Sequence, residues 1–168
     1  VLEHALSRFP ESVEVIELLA MIYLQDNRTD DCALEIYETL LAYKQDCLPV
    51  IEKLAEHYYA ANRLTEALPL YITLHQQSEQ HSKRSHYLIR IVDTALAMPQ
   101  LPADAVPYLI DYLKHNADDD KARLALGTYY AADNDLTTDA VTVYKALLKK
   151  GKATAEMQML LGLSLIHI

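Results

Sequence analysis

Glycine is scarce in this sequence, with only three residues among 168, and proline occurs six times. Gly127, Gly151 and Gly162 are too few to form the glycine-rich loop with which dinucleotide-binding and P-loop proteins hold phosphate. A β fold also needs more turn-forming residues than these. Leu, Ala, Tyr, Glu and Lys dominate instead, a composition typical of long helices, so we expect an all-helical protein.

A long apolar run is also missing. No segment approaches the roughly 18 consecutive apolar residues that a membrane-spanning helix needs, and no secretory signal opens the chain. The formal net charge is -9 with histidine taken as neutral, and Lys and Arg are scattered. Because nucleic-acid binding depends largely on clustered basic residues, we expect a soluble protein that does not bind nucleic acid.

Cysteine occurs only twice, as Cys32 and Cys47. A helix between them would hold them about 20 Å apart, at about 1.5 Å per residue, whereas a disulfide tolerates roughly 7 Å. We therefore expect two free thiols. They suit a reducing compartment such as the cytoplasm but exclude no other.

Residues that could bind a metal ion are better explained by structural roles. His75, His81 and His86 lie in a polar segment, but their spacing is not that of a helical zinc site, so we predict an exposed loop over residues 75–86. The acidic run 118–120 lacks the alternating ligands of a calcium loop and is predicted to cap and charge the next helix. We expect no catalytic residue, no metal and no cofactor.

One pattern recurs along the chain. An apolar residue and a small residue are followed by Tyr, then by Ala nine or ten residues later, then by another Tyr. Spacings of three and four are helical, so each copy predicts two helices that approach closely at the small residues. The clear copies are Leu19, Ala20, Tyr23, Ala33, Tyr37 and Leu40; Leu54, Ala55, Tyr58, Ala67, Tyr71 and Leu74; and Leu126, Gly127, Tyr130, Ala140, Tyr144 and Leu147. A weaker copy is Val92, Leu96, Ala105, Leu109 and Tyr112, and a half copy begins at Leu161.

Asn27, Asn62 and Asn134 each stand four residues after the first Tyr of a clear copy. Asn tolerates the left-handed conformation that ends a helix, so these residues predict a helix stop before a tight turn. The second helices are predicted to open with polar caps, among them Thr65 and Asp139.

Successive copies begin 34 to 38 residues apart, and a repeat of about 34 residues with these small and aromatic positions resembles the tetratricopeptide repeat family. The resemblance implies a right-handed α-solenoid of antiparallel helix pairs with a concave surface. We expect one repeat domain cut from a longer array, with uncapped ends that promote self-association and with non-native residues from about Leu163. Its units are 12–47, 48–82, 83–117 and 118–152, with partial units 1–11 and 153–168.

In this family the first helix of each unit lines a concave groove. At the matching positions, the resemblance implies a protein-binding groove that includes Glu17, Met21, Leu24, Glu52, Glu56, Tyr59, Arg90, Thr94, Ala97, Leu124, Thr128 and Ala131. The family's carboxylate-binding mode needs positive or amide groups where this chain has three Glu. We therefore expect a partner with a basic segment; the alternative is that these Glu form only a solvated helix face.

The leading interpretation of function is a scaffold or adaptor module that holds a peptide or protein segment and catalyses no reaction. Two alternatives stay open. The array could be a regulatory or targeting arm of a larger enzyme, or it could belong to an envelope or secretion assembly. Sequence beyond these residues would separate them.

Overall fold

A computed structural model describes residues 12–166, with side chains up to Ser164. Within that range the chain is all helical, without a strand, and none of its helices is long and apolar enough to cross a membrane. The partial unit predicted over residues 1–11 lies outside the described residues. The helices of the described part are α1 (Val13–Gln25), α2 (Asp31–Tyr43), α3 (Leu48–Ala60), α4 (Leu64–Gln77), α5 (His81–Ala97), α6 (Val106–His115), α7 (Asp120–Ala132), α8 (Thr138–Lys149) and α9 (Ala155–Ile166).

The chain divides into two compact units between Tyr87 and Leu88. In the first unit α1 packs on α2 and α3 packs on α4, while both helices of the first pair also contact α3. Short turns join the members of each pair, which makes them antiparallel neighbours. The small residues of the repeat are fully buried, and its tyrosines fill the space beside them. These core residues are Ala20, Ala33, Ala55 and Ala67, with Tyr23, Tyr37, Tyr58 and Tyr71.

In the second unit a 3-10 turn, Ala103–Ala105, leads into α6, and α7 packs on α6, α8 and α9. Gly127 lies on α7 where its neighbours are very close. A Cβ atom at this position would lie 2.7 Å from Leu147 Cδ1 and 3.0 Å from Met157 Cε. The copies in the first unit have Ala at this register, so α8 and α9 approach α7 more closely than an alanine would comfortably allow.

Three helices end on an Asn in the left-handed conformation, as predicted. The φ angle is 54° at Asn27, 58° at Asn62 and 52° at Asn134. In each turn the following amide donates to the carbonyl oxygen of the Tyr five residues earlier, at 2.8 to 2.9 Å, and the Asn amide donates three residues back, at 3.0 Å. These bonds satisfy carbonyl groups that the helix end leaves open. Gly151, with a φ of 68°, ends α8 in the same way.

Two predictions about local structure are wrong. The polar segment 75–86 is mostly helical, because α4 continues to Gln77 and α5 begins at His81, so only residues 78–80 lie between them. The second helices also begin earlier than predicted. Thr65 lies inside the first turn of α4, and α8 is capped by Thr137, whose hydroxyl accepts a hydrogen bond from an amide at 3.4 Å.

The acidic run before α7 has the predicted role. The Asp119 carboxylate caps α7 by accepting a hydrogen bond from the backbone amide of Ala122 at 3.0 Å, and Asp120 lies in the first turn of the helix. Asp120 also pairs with Lys150 and Lys152, whose Nζ atoms each lie 2.7 Å from one of its carboxylate oxygens. Both cysteines are free thiols, as predicted.

Candidate functional site

The first unit holds six of the predicted binding residues, on α1 and α3. Glu17 on α1 is partly exposed, and its carboxylate lies 2.7 Å from Lys44 Nζ. Met21 lies about one turn further along, and its side chain is 60% exposed. Because α1 contacts α3, the predicted residues of the unit come from two neighbouring helices.

Glu52 and Glu56 form an acidic face on α3, since residues four apart lie on the same side of a helix. Glu52 accepts a hydrogen bond from the hydroxyl of Tyr87 at 2.9 Å, and Tyr87 is only 3% exposed. Burial raises the pKa of Tyr87, and the hydrogen bond to Glu52 and the charges of both glutamates raise it further. A tyrosine hydroxyl is protonated at neutral pH, so Tyr87 donates to the Glu52 carboxylate and holds it in place, while Glu56 is exposed.

Tyr59 lies on the same helix and is half-buried. Its ring contacts Tyr71 edge to face, with the ring centroids 6.4 Å apart at an interplanar angle of 74°. The adjacent Tyr58 is a core residue, as predicted, and its hydroxyl donates to Glu38. Tyr59 therefore presents only part of its ring to solvent.

An apolar patch on α1 surrounds Met21. Leu18 is 51% exposed and Ile22 is 40% exposed, and the three residues lie on one side of the helix. The repeat pattern identified only Met21 at this place. The signal for the other two was available, because Leu18 and Ile22 are large apolar residues that fall outside the recurring core positions.

The second unit holds the other six predicted residues, which include Arg90 and Thr94 on α5 and Thr128 on α7. Arg90 is half-buried. Thr94 is fully buried, and its hydroxyl donates to the carbonyl oxygen of Arg90 at 2.6 Å. Thr94 thus offers no side-chain surface to a partner, and its predicted place in the binding groove does not fit its burial. Thr128 is exposed, and its hydroxyl donates to the carbonyl oxygen of Leu124 at 2.9 Å.

A groove with a volume of about 560 Å³ runs along one side of α7; we call it the α7 groove. Helix α7 contributes lining residues at every turn, from Lys121 to Asp133 beyond its end. The remaining lining residues come from the end of α5 and the connection that follows. The α7 groove is lined by Ala95, Leu96, Met98, Pro99, Gln100, Leu101, Lys121, Leu124, Ala125, Thr128, Tyr129, Ala132 and Asp133.

The resemblance placed Leu124 and Thr128 on a binding surface but missed the charged residues at both ends of the α7 groove. Lys121 and Asp133 are exposed, and neither side chain forms a hydrogen bond or ion pair within the described part of the chain. The resemblance also gave no binding role to residues 98–101, because the family register draws its binding residues from the first helix of each unit. Pro99 and Pro102 do mark this segment as a connection.

Comparison with known proteins gives one finding for the family. Residues 91–151 match a family model described as Tetratricopeptide repeat. The matched stretch contains α6, α7 and α8 and all of the residues that line the α7 groove. No curated protein and no solved structure matches the chain.

Proposed function

We propose that this chain belongs to the tetratricopeptide repeat family and is a scaffold or adaptor that holds a segment of another protein along exposed helix faces and catalyses no reaction of its own. Tetratricopeptide repeats generally mediate protein–protein interaction and are typically non-catalytic modules. The observation that best supports this proposal is the acidic face of α3, where Glu52 and Glu56 lie one turn apart beside the buried Tyr87.

The acidic face favours a partner segment that carries Lys or Arg. The hydrogen bond from Tyr87 orients the Glu52 carboxylate, so less side-chain entropy is lost when a cation binds. The Glu17–Lys44 pair, 2.7 Å apart in the same unit, shows the contact that a partner lysine would make. An arginine would add a second, parallel hydrogen bond to the same carboxylate. The net charge of -9 would attract such a segment over a longer range.

Selection from a displayed library of random peptides, with the purified chain as bait, tests this proposal. We expect the selected peptides to be enriched in Lys and Arg. Synthetic copies of them should bind in solution, measured by fluorescence anisotropy, and more weakly as salt is raised from about 0.05 M to about 0.5 M, because salt screens exposed charges. Failure to select any peptide that binds in solution would contradict the proposed function.

A pair of matched variants locates the binding surface. Glu52→Gln combined with Glu56→Gln removes both charges but keeps an oxygen that can accept the Tyr87 hydrogen bond. We expect this variant to bind the basic peptides about ten-fold more weakly, which corresponds to about 1.4 kcal/mol. The control is Asp31→Asn with Glu35→Gln, an exposed acidic pair on α2 with the same spacing. Equal losses in the two variants would show that general negative charge, rather than the face of α3, attracts the peptides.

A further inference from the structure

The α7 groove has the dimensions of an extended peptide. Lys121 and Asp133 stand at its two ends and are twelve residues apart in sequence. At about 1.5 Å per helical residue, this separation is about 18 Å along α7. An extended chain covers the same distance in about five residues, at about 3.3 Å each.

The two end charges are open to a partner. Asp120 precedes Lys121 in sequence and could neutralise it, but its carboxylate pairs with Lys150 and Lys152 instead, at 2.7 Å each. Among the described residues, the side chain of neither Lys121 nor Asp133 takes part in an ion pair or hydrogen bond. A ligand can therefore meet a positive group at one end of the groove and a negative group at the other.

The position of these charges on α7 does not stabilise the helix. Lys121 lies in the first turn and Asp133 is the C-terminal cap. The helix dipole favours negative charge at the start of a helix and positive charge at its end, the opposite of this arrangement. The dipole instead adds to the field of each residue, which strengthens the contrast between the two ends of the groove.

Between its charged ends the α7 groove is lined mainly by small and apolar residues. Ala125, Thr128 and Ala132 leave space on the side of α7, and Leu96 and Leu101 face that space from the end of α5 and the connection after it. An apolar side chain of a ligand would be removed from water there without leaving a buried polar group unpaired.

From these observations we infer that the α7 groove binds an extended segment of another protein with an acidic residue at one end, a basic residue about five positions away and an apolar residue between them. The acidic residue pairs with Lys121, the apolar side chain lies against Thr128, and the basic residue pairs with Asp133. This inference rests on the proposed function, and it names a second sequence signature besides the basic segment expected at α3.

The same peptide selection, repeated with variants of the full chain, tests the inference. We expect one class of selected peptides to carry the acidic, apolar and basic residues in this order or its reverse. Thr128→Trp fills the groove and should weaken the binding of this class at least ten-fold. Thr142→Trp is the matched control, because Thr142 is exposed on α8 and its hydroxyl also donates to the carbonyl oxygen four residues earlier.

Two neutral substitutions test the charges separately. Lys121→Gln and Asp133→Asn should each weaken binding about two- to five-fold, the range for an exposed ion pair, and neither should lower the melting temperature. Peptides of this class that bind Thr128→Trp as well as wild type would overturn the inference. If every selected peptide depends on Glu52 and Glu56 and none on Thr128, the inference fails while the proposed function stands. If the chain selects no peptide at all, both fail.

Discussion

The two units share their turns and core but differ in what they present to solvent. Asn27, Asn62 and Asn134 end helices in both units with the same pair of hydrogen bonds. The first unit presents the acidic face of α3 and an apolar patch on α1, whereas the second contains the α7 groove, partly lined by the connection 98–101. The residues that recur in each copy therefore form the core and the turns, while the residues that differ between copies form distinct surfaces.

The largest expected effect tests whether the two cores are equivalent. Tyr37 in the first unit and Tyr144 in the second occupy the same register, are fully buried, and donate a hydrogen bond to the carbonyl oxygen nine residues earlier. Substitution of either by Ala should lower the local free energy of unfolding by about 3 to 5 kcal/mol. Amide hydrogen exchange, which reports each unit separately, is the measurement. A loss in one unit at least twice that in the other would contradict equivalence.

A smaller effect is expected at Gly127, where side chains from α8 and α9 lie very close to α7. Gly127→Val places new atoms against Leu147 and Met157 and should cost about 1 to 3 kcal/mol in the second unit. Thr128→Val, at the adjacent exposed position, should change stability by less than about 0.5 kcal/mol. Hydrogen exchange in α7 to α9 measures both. If the two variants are equally stable, the close approach at Gly127 has no energetic consequence.

The shared turn should respond alike in both units. Substitution of Asn62 or Asn134 by Ala places Ala in the left-handed conformation, which Ala tolerates less well than Asn. The free energy of unfolding should fall by about 1 kcal/mol at each site. Gly at the same positions should be neutral or slightly stabilising, because Gly adopts positive φ freely. Urea unfolding curves of the four variants give the comparison. An Ala variant as stable as its Gly counterpart would show that the positive φ carries no strain.

The smallest expected effects concern pH. The ordinary pKa of an Asp side chain is 3.8. In the first unit, the hydrogen bond from Arg28 lowers the pKa of Asp30 to about 2. In the second unit, the hydrogen bonds from Lys150 and Lys152 lower the pKa of Asp120 to about 2. Because the folded pKa is depressed, each carboxylate stabilises its unit above about pH 4, and this contribution is lost as pH falls to about 2. The melting temperatures of Asp30→Asn and Asp120→Asn should therefore lie slightly below wild type at pH 7 and converge with it near pH 2. A constant difference across this range would assign the effect to something other than charge.

The core and the turns could be predicted from the sequence because both depend on local, repeated rules. The buried alanines and tyrosines follow helical spacing, and the three Asn stops follow from the backbone freedom of Asn. Helix starts were harder to place. Leu64 begins α4 after Arg63, which provides no side-chain cap, so Thr65 lies in the first turn instead of before it.

The candidate site could be predicted only in part. The family register implies Glu52, Glu56 and Thr128, which reach solvent, but it also implies Thr94, which is buried. Side-chain exposure depends on packing between helices, which a linear register does not encode. The α7 groove depends on the path of residues 98–101, an irregular connection with no periodic pattern to reveal that it lies against α7.

The most direct test of the central claim, that the chain holds peptide segments on these helix faces, is to map a bound peptide by NMR. The isotope-labelled chain would be titrated with one selected peptide of each class, and backbone amide shifts would be recorded. We predict that basic peptides shift amides around Glu52 and Glu56, and that peptides with the acidic, apolar and basic signature shift amides from Lys121 to Asp133. Shifts confined to other helices, or no saturable shifts with either class, would contradict the claim.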